Sequence, residues 1–204
     1  MKERCKELPE ELWESILNRL TLDNNYGDLQ SPLLVCKQFL SITNRFHQKI
    51  VVAGSDDSNQ CVDLSRAIKR FKNLKQMELV GYFPESDVDF LALKIAFSGW
   101  DLQSLCFRFF PISPSADTFM RLGSTMKNLK VLRCIRFDTL RDPDLVHIAD
   151  ALPRLEELDI RYPLKFFPSR SRYPEFSDSM VTDAGIVAIS RKLRGLRKIY
   201  ICGN

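Results

Sequence analysis

The chain has 204 residues, of which 45% are hydrophobic and 27% charged, a balance that suits one or two modest domains and argues against wholesale disorder. A formal net charge of +4 is too small to argue for nucleic acid, and no apolar run approaches the ~18–20 residues that a membrane span needs. Met1 to Glu7 carries both signs of charge and leads into no apolar stretch, so a secretory signal is not expected. Six cysteines, Cys5, Cys36, Cys61, Cys106, Cys134 and Cys202, are scattered and never form a C-x-x-C pair. With only two histidines beside them, reduced intracellular thiols, no metal and no cofactor are the expectation.

The first predicted helix runs from Leu8-Pro9 through Leu20. Pro9 is expected near N1, where its missing N–H costs nothing. Glu10, Glu11 and Glu14 suit the positive end of the helix dipole and Arg19 the negative end. Leu8, Leu12, Ile16 and Leu20 recur every four residues and make one apolar stripe. A polar break follows at 23–28. Ser31-Pro32 then reads as a cap and N1 pair opening a second helix through Val35, Cys36, Phe39 and Leu40 towards Phe46. Some 40 residues of helix form a small core, which must lean on the rest of the chain or on another protein.

From residue 47 onward the chain repeats itself. Five segments read Leu-x-x-apolar-x-apolar: Leu74-Met77-Leu79, Leu102-Leu105-Phe107, Leu129-Leu132-Cys134, Leu155-Leu158-Ile160 and Leu196-Ile199-Ile201. Their lead leucines are 28, 27, 26 and 41 residues apart, and Ile50 and Val52 form a weaker copy one period upstream. Helical spacing precedes each copy: Leu64, Ile68 and Phe71; Val88, Leu91, Ile95 and Phe97; Phe119, Leu122 and Met126; Leu145, Ile148 and Leu152; and finally 181–189, capped by Thr182 or Asp183. A strand plus a helix every ~26–28 residues is a leucine-rich-repeat period. One such unit cannot bury its apolar side alone, which is why the units come in arrays.

Strand alternation sends Leu79, Phe107, Cys134, Ile160 and Ile201 inward. It leaves Glu78 and Val80, Cys106 and Arg108, Arg133 and Ile135, Asp159 and Arg161, and Tyr200 on the concave face. Arg108, Arg133 and Arg161 fall on successive repeats, and such a ridge suits a carboxylate or phosphate. Arg133 and Arg161 could equally pair with Glu157 and Asp159. The long step contains an insertion over 163–178 with Pro163, Pro168 and Pro174, read as an excursion from one rim and a candidate binding loop. From Arg161 to the end nine Lys/Arg face three Asp/Glu, so the final part of the chain is basic. The array stops straight after a repeat strand at Tyr200–Asn204, which leaves its last hydrophobic face without a cap and makes a truncated array one expectation.

No catalytic pattern emerges. The sequence holds no Gly-x-Ser-x-Gly, P-loop or Gly-x-Gly-x-x-Gly, and Asp142, Asp144 and Asp150 do not follow a calcium-loop spacing. His47 and His147 are the only imidazoles. Cys36 beside Lys37 is better read as a buried structural cysteine than as a nucleophile.

Residues 5–46, with Leu8-Pro9, Leu12, Ile16, Leu20, a polar break and Val35-Cys36-Lys37-Gln38-Phe39-Leu40, resemble an F-box. With repeats following directly, the whole chain is similar to F-box/leucine-rich-repeat proteins, plant members in particular. The resemblance implies an α/β fold: a helical F-box at 5–46, then a short solenoid of about six leucine-rich repeats over 47–204, strands on the concave and helices on the convex face. It implies a non-catalytic, nuclear or cytoplasmic substrate receptor of an SCF-type ubiquitin ligase. Leu8, Pro9, Leu12, Ile16, Leu20, Val35 and Cys36 would meet a SKP-family adaptor, and through it the cullin and RING subunits. The repeats, with Glu78, Arg108, Arg133, Asp159, Arg161 and Tyr200, would hold the protein target. The alternative is a non-catalytic repeat scaffold whose N-terminal helices only cap the array. The two differ in whether the Leu8–Leu20 stripe faces solvent or packs on the first repeat. No membrane or nucleic-acid partner is expected.

Overall fold

A computed structural model describes residues 8–22, 41–42, 44, 48–53, 60–81, 88–110, 112–137, 139–161 and 181–201. Helix α1 (Glu10–Leu22) is followed by strands and helices in strict alternation: β1 (Lys49–Ala53), α2 (Gln60–Arg70), β2 (Gln76–Val80), α3 (Val88–Ala96), β3 (Ser104–Arg108), α4 (Ala116–Thr125), β4 (Val131–Ile135), α5 (Asp142–Ala151), β5 (Glu157–Asp159), α6 (Asp183–Lys192) and β6 (Lys198–Tyr200). The six strands form one sheet in chain order, and every neighbouring pair is parallel. Parallel neighbours need a crossover of a dozen residues or more, and here a helix supplies each one. The fold is therefore α/β, arranged as a one-dimensional array of strand–helix units.

The repeat period read from the sequence is the register of the sheet. Ile50 pairs with Met77 and Val52 with Leu79, so the weak upstream copy is the first unit. Met77 aligns with Leu105, Leu132, Leu158 and Ile199 in turn. One backbone device recurs at each step. The carbonyls of Gln48, Lys75, Gln103, Lys130 and Glu156 each accept two N–H groups from the start of the next strand, at 2.7–3.1 Å. The step from Glu156 to Arg197 and Lys198 uses the same fork, so the 41-residue spacing leaves the ladder unchanged. The insertion at 163–178 lies outside the described residues.

The helix-facing row of the strands and the inner faces of α2–α6 make one continuous core from Leu64 to Leu193. At its centre, Phe107 meets Phe110 and Phe137 edge-on with centroids 6.0 and 6.4 Å apart, while Phe110 and Phe137 stack at 5.9 Å. Phe110 and Phe137 each lie two residues beyond the end of their strand. They are brought there by Phe109 and Arg136, which adopt φ of 64° and 61° and donate their N–H groups to Ile135 and Arg161 carbonyls of the next unit. A left-handed conformation is costly for a side chain of this size, so the neighbouring unit has to hold it. The Arg136 guanidinium lies 4.7 Å from the Phe109 ring centroid, which ties the two bends together.

The helices are seated by side-chain contacts between units. Ser115 caps α4 by accepting from Thr118 N–H, and its own N–H donates to Asp89 of α3. Thr182 caps α6, and both its N–H and its hydroxyl donate to Asp142 of α5. Gly123 of α4 passes so close to α5 that an added Cβ would lie 1.9 Å from the Ala151 carbonyl oxygen.

Pro9 stands next to N1, as the cap of α1, and its carbonyl accepts from the N–H groups of Leu12 and Trp13. Two expectations are corrected. Phe97 is exposed rather than core, because it follows the last residue of α3 and turns away from the array. Ile201 is exposed rather than inward, as is Ile199, because among the described residues β6 has a neighbour on one side only.

Candidate functional site

Two surfaces carry the residues singled out in the sequence. The first is α1. Leu8, Leu12 and Ile16 are 41%, 49% and 43% exposed, and Pro9 beside them is exposed too. Leu12 and Ile16, four residues apart, share one side of the helix, Leu8 stands just before its start, and all three face solvent. Of Leu20 only the backbone is described, and Val35 and Cys36 lie outside the described residues. The segment leading into the array behaves differently. Ile42 is fully buried, and Asn44 Oδ1 accepts from Arg70 Nε of α2 at 2.8 Å.

The second surface is the sheet face turned away from the helices. Its middle row runs Val51, Glu78, Cys106, Arg133, Asp159, Tyr200, and its upper row holds Val80, Arg108 and Ile135. Arg161, two residues beyond Asp159, follows in the same alternation. The arginines are each neutralised by a carboxylate. Arg108 Nη2 lies 3.0 Å from Glu78 Oε1 on the neighbouring strand. Arg133 donates from Nε and Nη2 to Glu157 Oε1 at 3.1 and 2.7 Å. Arg161 forks onto Asp159, with Nε 2.9 Å from Oδ1 and Nη2 2.7 Å from Oδ2, and its guanidinium sits 5.5 Å from the Tyr200 ring centroid. The result is a surface of fixed guanidinium planes, each with its donor fork partly engaged.

Alternation assigned the face of these residues but not their depth. Asp159 keeps 1% of its surface beneath Arg161, so it orients that arginine and is not itself open to a partner. Cys106 is likewise buried, and burial, reinforced by Glu78, pushes its thiol up to about 11. Cys134 sits one strand along on the core side, and burial raises its thiol still further. Val51 was missing from the predicted face. It is exposed and pairs in register with Glu78, and extending the alternation of Ile50 and Val52 would have found it.

On the helix side a cleft of about 430 Å³ opens between the C-terminal ends of α4 and α5, beside Met120, Gly123, Ala151 and Pro153. Its cations are engaged in capping: Lys127 Nζ donates to the Gly123 carbonyl and Arg154 Nη1 to the Lys127 carbonyl. His147 of α5 has its Nδ1 buried with no hydrogen-bond partner among the described residues, and His47 lies outside them. Among the described residues no three His, Cys, Asp or Glu side chains gather as a metal site would, and no helix is long and apolar enough to cross a membrane.

Compared with models of protein families and with curated proteins, the chain matches none.

Proposed function

We propose that the chain is a substrate receptor of an SCF-type ubiquitin ligase, with residues 5–46 as an F-box that docks on a SKP-family adaptor and 47–204 as leucine-rich repeats that hold the protein to be modified. The observation that carries this reading is the solvent-facing stripe of Leu8, Leu12 and Ile16. A helix that existed only to cap the array would turn its apolar stripe onto the first unit. Three large aliphatic side chains left exposed in a row instead fit a surface awaiting a partner. The buried Ile42 and the Asn44–Arg70 bond fit a module whose far end leans on the array while its first helix stays available. The chain itself performs no bond chemistry in this reading. It holds adaptor and target at a fixed separation for a ubiquitin-conjugating enzyme brought in by the RING subunit, in the nucleus or cytoplasm.

The target would meet the open sheet face. Arg108, Arg133 and Arg161 are held in place by Glu78, Glu157 and Asp159, so a carboxylate or phosphate on the target meets guanidinium groups already ordered, at reduced entropic cost.

Purified chain should capture a recombinant SKP adaptor, and Leu8→Ala with Pro9→Ala, or Leu12→Asp alone, should abolish capture. Since these side chains are exposed, the variants should keep their folding stability within about 0.5 kcal/mol. Failure of a monomeric, cooperatively folded wild type to bind would leave a repeat scaffold without a ligase role.

A further inference from the structure

We infer that the rim of the array at which each helix hands over to the next strand docks an extended acidic segment of a partner protein, with one apolar side chain of that segment seated between α4 and α5. The five turns along this rim are 71–75, 97–103, 126–130, 152–156 and 193–197. Every residue in them is described, and together they hold seven Lys/Arg against two Asp/Glu. Both carboxylates are already engaged. Asp101 accepts from Lys75 Nζ at 2.6 Å and from Asn128 Nδ2 at 2.8 Å, and Glu156 Oε1 lies 2.7 Å from Lys130 Nζ.

Lys72, Lys127, Arg154, Arg194 and Arg197 remain. All five are exposed, and among the described residues none of them stands in an ion pair. Lys72 donates to the Ile68 carbonyl, Lys127 to that of Gly123 and Arg154 to that of Lys127. A carbonyl takes up a hydrogen bond without removing the charge. The negative helix ends offset about half a unit charge each, so five of them leave about half of the rim's surplus standing.

The cleft between α4 and α5, of about 430 Å³, opens on this rim. Lys127 and Arg154 line it together with the buried Met126, Leu129 and Leu152, and with Met120, which is 54% exposed. An apolar recess flanked by two cations suits a protruding apolar side chain with carboxylates on either side of it. A bilayer has no such protrusion to offer. Single-stranded nucleic acid would ask for exposed rings between the cations. The one large ring exposed along these turns, Phe97, stands in the turn that has no Lys or Arg. Strands about 4.8 Å apart make the five turns span about 20 Å, which about six extended residues cover.

The test uses the full chain and a labelled peptide of about ten residues, glutamates around a single central leucine. A glutamate-only peptide, a single-stranded oligonucleotide and phosphatidylserine vesicles serve as further probes. The leucine-bearing peptide should bind, less tightly as salt rises, and about tenfold or more tighter than the glutamate-only one, as burial of a leucine implies. Lys127→Gln with Arg154→Gln keeps donors for the capped carbonyls and removes only charge. It should weaken both peptides about fivefold and flatten the salt dependence, while the preference for leucine stays. Met120→Ser should do the reverse, reducing the preference for leucine and leaving the salt dependence as it was. Misfolding cannot produce both patterns. Absence of binding, indifference to the leucine, unchanged binding by the Lys127/Arg154 variant, or binding of oligonucleotide or vesicles in place of the peptide would each overturn the inference. None of these changes touches α1, so capture of the SKP adaptor should be the same throughout, and failure here and failure of the ligase reading are separable.

Discussion

In the units between β2 and β5, the apolar residue at each repeat position is buried almost completely, whereas along α1 Leu8, Leu12 and Ile16 keep more than two-fifths of their surface in water. Both regions follow a regular apolar spacing. The difference lies in what stands next door. Each unit between β2 and β5 has a similar unit on either side to complete its core, and the carbonyl fork at the start of each strand sets that neighbour in place. Among the described residues, none covers the stripe beside α1, and Leu8, Leu12 and Ile16 stay exposed. Periodicity therefore predicts which side chains share a face, and the neighbour decides whether that face is a core.

Truncating one side chain in each region should give the widest contrast. Phe107 lies at the centre of the aromatic cluster with Phe110 and Phe137, so Phe107→Ala should cost about 3–5 kcal/mol in urea denaturation. Leu12→Ala should cost no more than about 0.5 kcal/mol, as an exposed substitution does. Comparable losses at the two positions would mean that α1 is part of the array's core and that the two regions do not differ in kind.

A smaller effect probes how tightly adjacent units are fitted. Gly123→Ala drives a methyl group against the Ala151 carbonyl, which must move, and should destabilise the chain by about 1–3 kcal/mol. Gly99 has nothing near the place of an added Cβ, but its φ of 77° makes Gly99→Ala cost about 1 kcal/mol through backbone strain alone. Differential scanning calorimetry of the two variants separates packing between units from strain within one.

These contrasts also mark how far the sequence could be read. The strand register followed directly from the 26–28-residue period, down to the pairing of Ile50 with Met77, because every unit buries the same two alternate positions. The Thr182 cap was legible from local chemistry, but its bonds to Asp142, forty residues away, depend on how α5 and α6 pack. The stack of Phe110 on Phe137 was not legible, since those residues lie past the strands and reach the core only through the left-handed Phe109 and Arg136. On the open face, alternation chose the right side for Arg108, Arg133 and Arg161, yet could not foresee that Asp159 would vanish beneath its arginine. Alternation carries direction, whereas depth depends on the length of the side chain that folds over.

The ion pairs of that face should contribute least. Arg133 and Glu157 are both reachable by water, so Arg133→Ala should cost less than about 1 kcal/mol and its effect should shrink in high salt. A loss several times larger would mean that the pair is part of the framework rather than a surface available to a partner.

Thiol chemistry offers a reading of the array alone, because Cys106 and Cys134 both lie within it, on adjacent strands, and both are free and buried. Their folded forms hold the proton more tightly than an ordinary thiol at 9.0, chiefly because burial penalises the thiolate. Above pH 9 the unfolded chain thus binds fewer protons than the folded one. The stability these two sites contribute is fully present below that pH and declines as pH rises, for Cys106 through about 11. Iodoacetamide at pH 8, followed by mass spectrometry of the peptides, should leave both cysteines unmodified in the native chain and modify both in urea. Leu12→Ala should leave that protection unchanged, and Gly123→Ala should shorten it, since only the second change touches contacts between the array's units. Rapid alkylation of Cys106 in the native chain would show that the Glu78–Arg108 pair opens readily above it, making the sheet face more compliant than its paired arginines imply.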